Sequence, residues 1–129
     1  RQGYYFGQNM QLSQNPINKT LEKQLGQMFY QVLAEIDSLD ELKTIFNDVL
    51  TDGERIAVLK RLGIALYLDK GRSYEDVKNN IKVSSATIAT VAENLGNPGW
   101  QEMIKRIKAE EWANEWTDKI TGGIKKIFK

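Results

Sequence analysis

Between Ser73 and Leu95 the chain reads SYEDVKNNIKVSSATIATVAENL, a run whose side chains offer hydrogen bonds and charge but little acid–base chemistry. Thr87, Thr90 and Asn94, preceded by Ser84 and Ser85, are of the types that bond base edges or phosphate oxygens, and the methyls of Ala86 and Ala89 suit contact with thymine. Lys78, Lys82 and Arg72 flank them as cations fitted to phosphate. Glu93 opposes this, since a carboxylate beside phosphates is repelled unless it accepts from a cytosine amine. No arginine stands on the polar face for bidentate contact with guanine, so water-mediated and shape-dependent recognition would have to contribute.

Catalysis is not indicated. The chain holds no histidine and no cysteine, which removes the commonest metal ligand, thiolate zinc sites and thiol nucleophiles. GxGxxG, P-loop, HExxH, GxSxG and EF-hand spacings are all missing, and Glu110 and Glu111 read as solvated helix charges. Neither a metal nor a cofactor is expected, and the chain is not expected to be an enzyme.

The polar face needs two helices to hold it. Val77, Ile81, Val83, Ile88 and Val91 have the spacing by which two short helices clasp across a tight turn, the helix-turn-helix unit. Ser73 is placed to cap the first helix and Ser84 the second. With Ile88, Val91 and Leu95 inward, Ala86, Ala89, Thr90 and Glu93 point outward, flanked by Thr87 and Asn94. Lys82 falls at the turn position where glycine commonly takes a positive φ, which predicts an altered or mildly strained turn.

Around this unit the apolar pattern is helical throughout. Pro16 suits a first turn, followed by a stripe at Leu21, Leu25, Met28, Phe29, Val32, Leu33 and Ile36 that predicts core or a dimer seam. Ser38 and Glu41 form a candidate capping box ahead of Leu42, Ile45, Phe46, Val49 and Leu50. Thr51 or Asp52 caps a third helix whose Ile56, Leu59, Leu62, Ile64, Leu66 and Leu68 are dense enough to predict deep burial, and Gly71 stops it. After the breaker Gly96-Asn97-Pro98-Gly99, helical spacing resumes through Trp100, Met103, Ile104, Ile107, Trp112, Trp116 and Ile120. No strand-like alternation occurs, so the fold class is all-α.

The expected organisation is an arm over residues 1–15, one helical domain over 16–121 and a basic tail over 122–129. The arm has no helical or strand period and is read as flexible; Met10 is the candidate natural start, with the residues before it read as non-native or as part of an internal fragment. Four lysines and no acids lie between Lys119 and Lys129, whereas three cations meet three carboxylates between Arg72 and Leu95, and the whole chain carries a net charge of +1. Any affinity for a polyanion must therefore come from where the cations sit. No apolar run approaches the ~20 residues of a membrane span. A cytoplasmic protein is expected, with no membrane contact by the tail.

Set in a row, LTDGERIAVLKRLGIALYLDKG (Leu50 to Gly71), SYEDVKNNI (Ser73 to Ile81) and SSATIATVAENL (Ser84 to Leu95) resemble the Trp repressor superfamily, and within it the YerC/YecD-like branch. The likeness is carried by Leu50-Thr51, Glu54-Arg55, the Gly71 stop, Ala86-Thr87-Ile88 and the hinge from Leu95 to Trp100, and spans roughly Leu21 to Ile107. It implies an intertwined, all-helical homodimer with two heads that meet double-stranded DNA, and hence a transcriptional regulator. It also implies a candidate effector pocket at Arg61, Thr87 and Thr90. The family's corepressor indole lies between two arginines; Arg61 matches one, but Thr90 stands at the other, so tryptophan is not the expected ligand. The rival expectation is a helical dimerisation or scaffold protein in which the motif is structural and the basic tail contacts a partner or membrane surface.

Overall fold

Short polar side chains decide where the helices start. In the computed structural model, which describes residues 16–111, Asn18 Oδ1 accepts from the amides of Thr20 (2.8 Å) and Leu21 (3.2 Å) to open α1 (Lys19–Glu35). The helix thus begins after the asparagine cap, and Pro16 lies outside it, contrary to the expectation that proline would occupy the first turn. Ser38 Oγ accepts from the Glu41 amide at 3.3 Å at the start of α2 (Leu39–Val49). The reciprocal capping box forms one helix later: Thr51 Oγ1 accepts from the Glu54 amide at 3.1 Å while Glu54 Oε1 accepts from the Thr51 amide at 2.9 Å, opening α3 (Asp52–Asp69). Of the two candidate caps, Thr51 is the one used.

The remaining helices are α4 (Tyr74–Ile81), α5 (Ser85–Asn94) and α6, which the structure describes over residues 98–111. The described residues form six helices and no strand, in agreement with the all-α expectation. The chain divides into two compact units, Arg1–Leu59 and Lys60–Lys129, the division falling within α3.

In the first unit, α1 and α2 bury no residue at all. Their contact includes an edge-on pair, Phe29 and Phe46, with ring centroids 6.5 Å apart. Leu21, Leu25, Met28 and Val32 remain exposed along the α1 stripe, Met28 by 62%. The apolar density of α3 is divided in the same way. Ile56, Val58 and Leu59 are exposed, and only Ile64 and Ala65 are buried, so the expected deep burial holds for the second half of the helix and not the first.

The second unit has a core built by four helices: Ile64 and Ala65 from α3, Val77 from α4, Ile88 and Val91 from α5, and Ile104 from α6. Ile81, Val83, Leu95 and Trp100 pack against it, which seats all five apolar residues of the helix-turn-helix spacing in or beside one cluster. Each fully buried isoleucine or valine contributes roughly 1.5–3 kcal/mol over its exposed state. Two ion pairs tie α6 to the end of α3: Lys108 Nζ with Asp69 Oδ2 at 2.7 Å, and, from the residue just past α3, Lys70 with Glu111 at 3.5 Å. That Asp69 oxygen is shielded from water and makes no hydrogen bond of good angle among the described residues, so the Lys108 charge is what balances it. The expected arm and basic tail, with Trp112 and Trp116, lie outside the described residues.

Candidate nucleic-acid interface

The head starts from the way α3 ends. Gly71 takes φ 81°, and with it the Arg72 amide reaches Tyr67 O (3.0 Å) and the Gly71 amide reaches Leu68 O (3.0 Å), the paired bonds of a Schellman stop. Ser73 Oγ then accepts from the Asp76 amide at 3.1 Å and turns the chain at once into α4.

Arg72 is exposed but tied down at this corner. Its guanidinium donates to Asp76 Oδ2 at 2.7 Å and lies 5.3 Å from the centre of the Tyr67 ring. The hydrogen bond to Asp76, and then the Asp76 charge, hold its pKa above the ordinary arginine value, so it stays cationic. Sequence reasoning placed Arg72 at the flank for phosphate; its four-residue spacing from Asp76 was the available signal for this internal pairing.

The turn between α4 and α5 carries the strain expected at Lys82. This residue takes φ 63° and ψ 60°, the left-handed conformation, which costs a side-chain-bearing residue roughly 1–2 kcal/mol. Its carbonyl accepts from the Lys60 ammonium of α3 at 3.0 Å. Nearby, the Ile81 side chain of α4 reaches so close to α3 that a β-carbon on Gly63 would sit 2.9 Å from Ile81 Cδ1. The sequence offered no sign of the Lys60 contact, because 22 residues separate donor and acceptor.

Ser84 Oγ accepts from the Thr87 amide at 3.2 Å and starts α5. Ile88 is fully buried and Val91 nearly so, while Ser84, Ser85, Ala86, Ala89, Thr90, Glu93 and Asn94 are exposed and Thr87 is half-buried. The outward face read from the wheel is the outward face in the fold. Several of its polar groups are already oriented locally: the Ser84 and Thr87 hydroxyls lie 3.0 Å apart, Thr90 Oγ1 donates to Ala86 O at 3.0 Å, and Asn94 Nδ2 donates to Thr90 O at 2.9 Å. Each hydroxyl keeps acceptor capacity beyond these bonds.

Lys78 and Lys82 are exposed on the head, and Lys78 lines a shallow polar cleft with Tyr74, Glu75, Asn79 and Ser85. Tyr74 and Asn79 were not among the residues singled out from sequence. Of the proposed effector residues, Arg61 is an exposed side chain of α3, and Thr87 and Thr90 lie one helical turn apart on α5. Arg55, which precedes Lys60 and Arg61 on the same helix, is paired with Asp52 at 2.9 Å. Among the described residues no group of three or more carboxylate, histidine or cysteine side chains is arranged to hold a metal, and no helix is long and apolar enough to cross a membrane.

A capped, two-helix clasp with a sealed inner side and an exposed small-polar outer side defines an all-helical helix-turn-helix protein. Residues 23–108 match the family model described as Trp repressor protein. The Uncharacterized protein YerC of Bacillus subtilis is 31% identical over 97 residues, a span covering 74% of this chain and 92% of that protein. The crystal structure of a TrpR-like protein from Eubacterium eligens superposes with a TM-score of 0.64 at 29% identity, covering 70% of this chain and 96% of that one. The chain belongs to the Trp repressor family, on its YerC-like side. That family is regulatory, not catalytic.

Proposed function

We propose that this protein is a sequence-specific, DNA-binding transcriptional regulator that acts as a homodimer and presents α5 to the major groove of double-stranded DNA. The observation that carries the proposal is the division of α5, with Ile88 and Val91 sealed and Ser84, Ser85, Ala86, Ala89, Thr90 and Asn94 left outside. In this reading Thr87, Thr90 and Asn94 address base edges, Ala86 and Ala89 meet thymine methyls, and Ser84 and Ser85 bond the backbone. Lys78 and Lys82 neutralise phosphates, and Arg72 keeps N–H groups beyond the one given to Asp76.

Homodimerisation is supported by the wet apolar face of α1, where Leu21, Leu25, Met28 and Val32 await cover. A two-fold pair would read two half-sites. Any effector would sit at Arg61, Thr87 and Thr90. Tryptophan does not suit that place, because Thr90 offers a methyl and a hydroxyl already bonded to Ala86 O where the family's second arginine would stack. The protein's working compartment is the cytoplasm.

The deciding experiment is duplex affinity measured against salt concentration. A regulator gives a clearly negative slope of log K against log salt, and Lys82→Ala makes that slope shallower by about one counterion. Weak association with no slope on a genomic fragment pool would instead favour a scaffold whose motif is retained for packing.

A further inference from the structure

We propose that Lys60 is a positioning residue for the reading helix: by holding the Lys82 carbonyl it keeps the α4–α5 turn left-handed and fixes α5 for DNA without a bound effector. This rests on the DNA-binding reading for its purpose, but the clasp itself is a property of the free protein.

Three observations converge on it. Lys82 is the one non-glycine residue with positive φ among the described residues, and it sits at the joint that sets the angle between α4 and α5. The Lys60 ammonium lies 3.0 Å from the carbonyl of that same residue, so the bond acts on the strained peptide and not on a neighbour. The Lys82 amide in turn closes α4 by donating to Lys78 O at 3.1 Å, leaving the turn bonded on both sides. A charged donor gives the stronger kind of hydrogen bond to a carbonyl.

The other end of α4 is fastened too. Arg72 lies over the Tyr67 ring of α3 and holds Asp76 in the first turns of α4. Ile81 fills the space a side chain on Gly63 would take. The first motif helix is thus tied to α3 at its start through Arg72 and at its end through Lys60, and α5 inherits its direction from the second tie. A head set in this way by the chain's own residues has no need of a stacked ligand to orient it, which accords with Thr90 standing where the family places its second arginine.

The test is a double-mutant cycle of Lys60→Met and Lys82→Gly, with Lys60→Arg as the conservative variant, read by duplex affinity across a salt series and by hydrogen exchange of the Lys82 amide without DNA. Glycine adopts φ 63° freely, so it removes what the clasp must hold. Lys60→Met is expected to weaken binding about fivefold, the factor carried by one net hydrogen bond exposed to solvent, with the salt slope unchanged, and to quicken exchange at Lys82. Lys60→Arg is expected to restore both, and in the Lys82→Gly background Lys60→Met is expected to change affinity little. An equal loss in both backgrounds, with the slope reduced by about one, would make Lys60 a phosphate contact and overturn the proposal. Unchanged exchange at Lys82 in Lys60→Met would overturn it as well. If the parent protein shows no salt-dependent duplex binding, the DNA reading fails, and faster Lys82 exchange in Lys60→Met would still establish the clasp.

Discussion

The two units of this chain use similar amounts of apolar side chain to different ends. From Lys60 onward, Ile64, Ala65, Val77, Ile88, Val91 and Ile104 close over one another and leave almost no surface to water. Before it, α1 and α2 carry an equally regular stripe, yet Leu21, Leu25, Met28, Leu39 and Val49 all stand exposed and nothing is buried. Helical periodicity alone therefore does not distinguish a helix that closes a core from one whose apolar face stays exposed. What separates them is the number of helices that converge: four supply the head's core, whereas the described part of the first unit has α1, α2 and only the opening turns of α3.

The comparison can be broken most directly at Ile88. Truncation of this sealed side chain, Ile88→Ala, should cost about 2–5 kcal/mol, seen as a lower urea midpoint with the denaturant slope preserved. Met28→Glu tests the opposite face. If a second copy covers α1, a carboxylate there should weaken self-association at least tenfold, or ~1.4 kcal/mol, visible by sedimentation, while the head's circular dichroism stays unchanged. A species of unaltered mass would mean that α1 is covered by something else.

Gly71→Ala places a β-carbon at φ 81° and should cost about 1–2 kcal/mol of head stability, and the open space around it gives no relief because the strain is in the backbone. The smallest expected effect compares two caps of one kind. Ser84→Ala and Ser38→Ala each remove one hydroxyl that accepts from an amide, at 3.2 Å and 3.3 Å, and each should cost about 0.5–2 kcal/mol. Only the first is expected to weaken duplex binding, since it loosens the start of α5.

The head was legible in the sequence because its signals are local. Ser73, Ser84 and Gly71 act on backbone within a few residues, and Val77, Ile81, Val83, Ile88 and Val91 share one periodicity, so caps, stop and core side could all be read before any coordinates. The positive φ of Lys82 was legible too, from its place in the turn. The Lys60 clasp was hidden by its sequence separation. The half-exposed state of α3 was hidden because apolar content does not by itself say which residues a core takes in: Ile56, Val58 and Leu59 lie outside the core that encloses Ile64. At α1 the sequence reading rests on Pro16 alone, whereas the Asn18 side chain, able to satisfy two free amides, sets the start.

The ion pair between Arg72 and Asp76 has a consequence for how such a regulator would search. With that pair internally balanced, Arg72 offers spare N–H groups but little net charge, and Lys78 and Lys82 are the helix-turn-helix cations without an ion pair among the described residues, against the carboxylates of Glu75 and Glu93. Contact with arbitrary sequence would then displace few condensed ions. The protein would be detained only briefly by the chromosomal background, and its occupancy of a true operator would depend on fit to the groove more than on attraction to the polymer.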